Sequence, residues 1–178
     1  SLNLEFKVCN LVESEKFSGD IICELFIDKA PISVTNFIKY IDNGFYNNTI
    51  FHRIMPGFVI QAGSFDTGLR QKKTDSPIIN EAENGLKNKK GTLAMHRNQN
   101  IHSASSQFFI NLKDNPSLDH KNKSLTGFGY AVFGKVIYGM DIISKIEKTL
   151  TTKVDSYKNV PVDDIFIKQI TYIRKPIY

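Results

Sequence analysis

The sequence predicts a mainly β fold, a closed antiparallel barrel capped by two α-helices. Many short apolar runs of strand length are separated by turns containing Gly, Pro or Asn, and only two stretches have helical spacing. The 178 residues contain no internal repeat and no linker, which indicates one domain over residues 1–178. No window approaches the ~18 apolar residues of a membrane span, so no membrane association is expected.

The chain begins with a predicted hairpin. Residues 4–12 alternate in polarity, residues 13–20 form a turn, and the apolar run at 21–27 is the second strand. Cys9 and Cys23 would then lie roughly opposite each other. A disulfide in an oxidising compartment and two buried free thiols both remain open.

A first helix is predicted after this hairpin. Pro31 suits its first turn, where the missing N–H costs nothing, and Gly44 is a good stop. The spacing i, i+3, i+4 and i+7 gives one apolar stripe, made of Val34, Phe37, Ile38 and Ile41.

The rest of the chain is predicted to form short strands, polar loops and one more helix. Residues 45–54 and 57–63 form strands that meet at the turn Pro56-Gly57. Further strands are predicted at 91–97, 107–112, 130–137 and 165–173, with loops at 64–91, 113–129 and 149–164. The second helix is predicted over 139–148, with Met140, Ile143 and Ile146 on one side and Ile142 beside them.

Composition excludes several classes of function. The net charge is +5, but the lysines are scattered, which favours a solvated surface over a nucleic-acid site. The histidines show no HxxxH or HExxH spacing, and no GxSxG or phosphate-cradling loop is present. We therefore expect no metal, no cofactor, no nucleic-acid partner and no hydrolase activity.

The stretches FHRIMPGFVIQAG at 51–63 and SQFFINL at 106–112 predict the functional site. Arg53 lies five residues before Phe58 and eight before Gln61, and Gln107 opens the second apolar run. An arginine stays protonated and offers five donors in a planar fork. This pattern predicts an apolar pocket with one fixed positive charge at its rim, with a surface ion pair of Arg53 as the alternative. His52 would point to the opposite face of the strand and make a hydrogen bond in the core or behind the site.

These stretches resemble the cyclophilin family of peptidyl-prolyl cis-trans isomerases, in its bacterial branch. The resemblance extends over nearly the whole chain, and the combination of its motifs is highly specific. The matching segments are APISVTNF at 30–37, FYNNTIFHRIMPGFVIQAG at 45–63, NEAENGL at 80–86, GTLAM at 91–95, SASSQFFINLKDNPSLD at 103–119 and GYAVFGKVIYGMDII at 129–143. The resemblance implies a barrel of eight strands with a packed interior and a substrate groove on its outer face.

The resemblance also implies residue roles. Arg53 matches the catalytic arginine, Gln61 the glutamine that holds it and contacts the substrate backbone, and His52 the histidine beside it. The residues that match the pocket for the proline ring are Phe58, Val59, Phe109 and Leu118. The remaining substrate-binding positions are Met95, Arg97 and Tyr130, with backbone groups near Arg97 pairing with the peptide.

Three residues depart from the family pattern. Tyr130 stands where many members have His, and His96 stands where the family has a small residue, which is expected to narrow the groove. Ser117 stands where well-known members have a Trp that contacts the drug cyclosporin. Because Ser117 departs from the family at this contact, we expect cyclosporin binding to be weak.

The function implied is acceleration of rotation about Xaa-Pro bonds during folding of proline-containing client chains. The proline ring would be gripped by apolar side chains, and arginine would stabilise the twisted amide without a covalent intermediate. The alternative is a proline-peptide binding module in which turnover is incidental. We expect a monomer located in the periplasm, with the cytoplasm as the alternative.

Overall fold

The computed structural model describes residues 4–176, so the first three and last two residues of the predicted domain lie outside it. The two helices are α1 (Pro31–Asp42) and α2 (Met140–Glu147). The strands are β1 (Leu4–Glu13), β2 (Ser18–Leu25), β3 (Thr49–Met55), β4 (Val59–Ala62), β5 (Phe65–Asp66), β6 (Arg70–Gln71), β7 (Thr92–Met95), β8 (Phe108–Asn111), β9 (Val132–Tyr138), β10 (Thr151–Val154), β11 (Tyr157–Pro161) and β12 (Phe166–Pro176).

Eight of these strands close into the predicted antiparallel barrel, in the order β1-β12-β3-β4-β8-β7-β9-β2. Side chains alternate between its interior and its outer face, as the pleat of a strand requires. On β8, Phe108 and Ile110 pack in the interior cluster, whereas Phe109 packs in a second cluster outside. On β4, Ile60 is inside and Val59 is outside. The barrel therefore carries apolar side chains on both faces of these two strands.

Helix α1 forms as its spacing predicts. Pro31 occupies the first turn, and Gly44 follows the helix with a φ of +66° that a glycine adopts freely. Phe37 buries the apolar stripe against three aromatic rings. Its ring centroid lies 5.2 Å from Tyr46, 5.3 Å from Phe108 and 5.2 Å from Phe133.

Helix α2 buries Ile142, Ile143 and Ile146. Met140, predicted on the same apolar side, is the first residue of the helix and is 36% exposed, so it is not among the buried residues. Ile142 packs directly on Gly19 of β2, where any Cβ atom would collide with its side chain. Glycine at this position therefore lets the helix approach the barrel closely. Within residues 4–176, neither helix nor any other is long and apolar enough to cross a bilayer.

Two predicted segments are corrected. Residues 149–164, predicted as a loop, contain the hairpin β10–β11. Sequence analysis misses this hairpin because the four residues of β10 are exposed and show no apolar alternation. Tyr157 of this hairpin lies 5.5 Å from the ring of Phe65. Residues 45–48 form a turn and the strand begins only at Thr49, since Asn48 has a φ of +62° that ends extended pairing.

The two cysteines are free thiols. Their register explains why they do not pair, because Cys9 lies opposite Ile22 and Cys23 lies opposite Val8 on the neighbouring strands. Cys23 thus shares the interior face with Val8, and Cys9 faces outward. The expectation of two buried thiols holds for Cys23 only, where burial raises the pKa of the thiol, since Cys9 is half-buried.

Candidate active site

Strand register builds one row of side chains across the outer face of the barrel. Arg53 on β3 pairs with Gln61 on β4, which pairs with Phe109 on β8. Phe109 pairs in turn with Ala94 on β7, and Ala94 with Val132 on β9. Because neighbouring strands lie ~4.8 Å apart, this row places a cation, an amide and an apolar surface side by side.

Arg53 is held by a neutral partner. Its Nη1 donates to Oε1 of Gln61 at 3.1 Å, and Nε2 of Gln61 donates to Oε1 of Gln107 at 2.8 Å. None of the ion pairs within residues 4–176 involves Arg53, so a surface ion pair does not describe it. The bond to Gln61 uses one of the five donors of the fork, and the rest can serve a ligand.

His52 does not simply alternate with Arg53. Phe51 pairs with Ala62 and Arg53 with Gln61, so His52 is the extra residue of a β-bulge in β3. The imidazole is 6% exposed and its centroid lies 4.3 Å from the ring of Phe65. The side chain is buried, but the predicted hydrogen bond is not seen at Nδ1, which has no partner within residues 4–176. Period-two reasoning failed here because a bulge breaks the period.

Two neutral imidazoles flank the arginine. Burial, together with the electrostatic effects of His96 and Arg53, lowers the pKa of His52 to about 3. Burial and the charges of Arg53 and Arg97 lower the pKa of His96 to about 4. Because these effects destabilise the imidazolium forms, both rings are neutral at pH 7. The charge at this end of the row is therefore that of Arg53.

The predicted proline pocket is assembled as one apolar cluster. Phe109 and Val59 form its floor and are 4% and 3% exposed. Partly buried side chains pack around them, namely Phe58 from the β3–β4 turn, Leu118 from the short 3-10 helix at 116–118, and Tyr130 from the segment before β9. The Tyr130 ring meets Phe109 edge-on at 5.7 Å. Residues far apart in sequence thus enclose one apolar surface.

Met95 and Arg97 have different surroundings from those of the pocket. Met95 is 2% exposed and packs in the barrel interior, on the face opposite Ala94. The Arg97 guanidinium lies 4.7 Å from the ring of Tyr130. Its Nε donates to the carbonyl oxygen of Gly129 at 3.0 Å, so the side chain braces the pocket wall.

An open groove of 660 Å³ continues from the pocket on the side of Tyr130. Ser117 lies on its rim and is exposed, so its small side chain leaves this side of the groove open. The lining residues are Arg97, Asn98, Gln99, Ser117, Leu118, Leu125, Thr126 and Tyr130. A ligand longer than one proline could extend along it.

The structure adds residues to the predicted site. Gln107, which opens the second apolar run, completes the chain of hydrogen bonds to Arg53. Ala94 and Val132 belong to the apolar cluster, and strand register could have found them, because residues directly opposite each other share a face. A buried chain of asparagines, Asn88, Asn111 and Asn115, also lies behind the pocket.

The arrangement suits electrostatic stabilisation rather than proton transfer. It combines a fixed, oriented donor with an apolar surface, whereas both nearby imidazoles have pKa values far below 7. Within the described part of the chain, no three or more His, Cys, Asp or Glu side chains cluster as metal ligands would.

Comparison with known proteins agrees with this geometry. Residues 10–172 match the family described as cyclophilin type peptidyl-prolyl cis-trans isomerase/CLD. The chain is 52% identical over 153 residues to peptidyl-prolyl cis-trans isomerase B of Escherichia coli K12, covering 86% of this chain and 93% of that protein. It is 49% identical over 158 residues to peptidyl-prolyl cis-trans isomerase A of Dickeya dadantii, covering 89% and 82%.

Solved structures give the same match. A cyclophilin type peptidyl-prolyl cis-trans isomerase of Cryptosporidium parvum superposes with a TM-score of 0.79 at 30% identity, covering 97% of this chain and 99% of that one. A second crystal structure of that enzyme, in the presence of the dipeptide Ala-Pro, matches with a TM-score of 0.76 at 30% identity, covering 92% and 96%. The chain is therefore similar to cyclophilins in sequence, barrel and length.

Proposed function

This chain belongs to the cyclophilin-type peptidyl-prolyl cis-trans isomerase family, and we propose that it isomerises Xaa-Pro bonds in the outer-face groove between Arg53 and Phe109. The protein is a peptidyl-prolyl cis-trans isomerase. One observation carries the assignment of the groove: an arginine oriented by Gln61 stands in the same row as an apolar pocket. The Ala-Pro dipeptide used with the Cryptosporidium relative supports a proline-containing ligand.

The physical task is small and needs no covalent chemistry. Amide resonance sets a rotation barrier of ~18–20 kcal/mol, and uncatalysed Xaa-Pro exchange takes tens to hundreds of seconds. Catalysis requires only that a state with less C–N double-bond character be favoured. A site without an acid–base pair is sufficient for this.

The pocket and the arginine make different contributions to isomerisation. The cluster around Phe109 grips the proline ring while the preceding carbonyl swings, and its apolar walls favour the twisted amide, which is less polar than the planar one. Arg53 donates to the proline nitrogen as its lone pair becomes available, or holds the adjacent carbonyl. Because Gln61 already orients the fork, this is stabilisation by a preorganised donor. Rotation in proline-containing client chains is the resulting activity.

We expect a nearly flat dependence of kcat/KM on pH from about 6 to 8. The pKa values of His52 and His96 are lowered to about 3 and about 4, so both rings stay neutral over this range. Isomerisation of a short Xaa-Pro peptide at several pH values measures the profile. A steep titration centred near the ordinary histidine pKa of about 6.5 would contradict the mechanism.

The free energy of unfolding, unlike kcat/KM, should depend on pH. His52 and His96 bind protons below about pH 6.5 in the unfolded chain, but only at about pH 3–4 in the folded chain. The stabilisation is therefore complete above pH 6.5 and is lost as the pH falls toward 3. Urea unfolding at pH 7 and pH 5 measures this loss, and His96→Ala should reduce it.

Replacing Ser117 by Trp should strengthen cyclosporin binding by at least about tenfold, since a buried Trp anchor is among the most effective contacts at an interface. Ser117 is exposed on the rim of the groove, where an indole would add apolar surface. Titration calorimetry of wild type and Ser117→Trp measures the change. Ser156→Trp, on the exposed turn of the β10–β11 hairpin, is the control. Equal affinities in wild type and Ser117→Trp would disprove the role of this position.

A further inference from the structure

We propose that Asn88 is a positioning residue of the pocket. Together with Asn111 and Asn115 it forms a buried chain of amides that holds the two walls of the proline pocket at a fixed separation. The inference rests on the proposed function, because it takes the cluster around Phe109 as the substrate pocket. None of the three amides belongs to that cluster.

One end of the chain holds the wall made by Leu118 and Tyr130. Asn88 is 1% exposed, and its Nδ2 donates to the carbonyl oxygens of Leu118 at 3.1 Å and of Tyr130 at 3.3 Å. The same Nδ2 lies 3.2 Å from Oδ1 of Asp119, which also accepts from the Asn88 backbone N–H at 2.7 Å. This one side chain therefore joins both residues of the wall.

The other end holds the wall made by Phe58. Nδ2 of Asn111 donates to Oδ1 of Asn88 at 3.0 Å, and Nδ2 of Asn115 donates to Oδ1 of Asn111 at 2.9 Å. Asn115 also donates to the carbonyl oxygen of Phe58 at 3.0 Å. Asn111 and Asn115 are 0% and 2% exposed. An unbroken series of hydrogen bonds thus runs from one wall of the pocket to the other.

The wall on the Leu118 side has little secondary structure of its own. Residues 113–129 form no strand and contain only the one-turn 3-10 helix at 116–118. The backbone N–H of Tyr130 donates to the carbonyl oxygen of Leu118 at 2.9 Å, so the two residues of the wall are joined directly. A fully satisfied buried polar network rigidifies its surroundings, and a broken one leaves costly unpaired groups. Losing Asn88 should therefore displace this wall relative to Phe109 and leave Arg53 in place.

Two substitutions separate hydrogen bonding from packing. Asn88→Asp keeps the size of the side chain but removes both N–H donors and sets a carboxylate against Asp119, whereas Asn88→Ala also opens a cavity. Asn10→Ala is the matched control. Asn10 is 1% exposed on β1, which lies four strands from β8 in either direction around the barrel. Asn115→Ala tests the other end of the chain if the Asn88 variants do not fold.

We expect KM for a short Xaa-Pro peptide to rise about tenfold in both Asn88 variants, because misplacing a binding wall weakens ground state and transition state alike. kcat should stay close to wild type, since Arg53 and Gln61 are untouched. Hydrogen exchange at the amides of Leu118 and Tyr130 should accelerate, while that of the β1 amides should not. Asn10→Ala should change neither KM nor exchange at Leu118. Asn115→Ala should raise KM in the same way.

A folded Asn88→Asp with wild-type KM and wild-type exchange at Leu118 and Tyr130 would overturn the inference. A rise in KM as large in Asn10→Ala would also overturn it, because a general loss of stability would then explain the effect. Failure of the proposed function looks different. In that case the peptide would not bind at Phe109 at all, and Phe109→Ala would leave KM unchanged.

Discussion

Arg53→Ala should lower kcat for a short Xaa-Pro peptide by about 10²–10³-fold, the loss typical of removing one preorganised donor from a site of charge stabilisation. The fold should be retained, because Arg53 is half-buried on the barrel surface and, within residues 4–176, its side chain hydrogen-bonds only to Gln61. Exchange NMR gives the turnover, and the thermal midpoint of unfolding gives the stability.

Arg70→Ala is the matched control for this loss. Arg70 is an exposed arginine outside the barrel, paired with Asp66 at 3.5 Å, and its removal should leave turnover unchanged. Unchanged turnover in a folded Arg53→Ala would remove the arginine from the mechanism.

Phe109→Ala should weaken substrate binding and destabilise the protein together. The ring is 4% exposed, forms the pocket floor, and meets Tyr130 edge-on at 5.7 Å. Deleting a buried Phe side chain costs about 3–5 kcal/mol of unfolding free energy. KM should rise because the proline ring loses its contact surface. Peptide titration and urea unfolding of the same sample measure the two effects.

Phe6→Ala separates the two effects. Phe6 is 9% exposed on β1, away from β8, so its loss should lower the free energy of unfolding without raising KM. If Phe109→Ala were destabilised but bound the peptide as tightly as wild type, Phe109 would be a core residue only.

Much of the fold follows from local pattern. The stripe of α1, its Pro31 start and its Gly44 end all agree with the structure, because capping and period report backbone geometry directly. The hairpin β10–β11 escaped prediction because all four residues of β10 are exposed and β11 buries only its last two residues, Val160 and Pro161, so neither strand shows alternation. Polarity identifies strands only where one face is buried.

The sequence names the candidate site residues but not the surface that they form. The motifs name Arg53, Gln61 and Phe109, but it is strand register that sets them in one row. Met95 is an example, because its match to the family does not tell which face of the sheet its side chain occupies. In the structure it lies in the barrel interior, on the same face of β7 as Leu93. The bulge that places His52 depends on pairing with β4, which local sequence does not encode.

The asparagine chain lies furthest from sequence reasoning. Asn88 and Asn115 fall in segments read as polar loops, where exposure is the default expectation. Their burial results from the return of residues 113–131 over the outer face of β8, which brings Asn88, Asn111 and Asn115 together. No periodicity in either loop reports that contact.

Exchange NMR on one short Xaa-Pro peptide, with wild type and Arg53→Ala compared at equal saturation, tests the central claim most directly. We expect both proteins to bind the peptide, because the apolar pocket is intact in each. Cross-peaks between the cis and trans forms should show rapid interconversion on wild type and be strongly reduced on the variant. Equal interconversion on both, or binding without interconversion on either, would contradict catalysis by Arg53 in this groove. The second result would describe a proline-binding module.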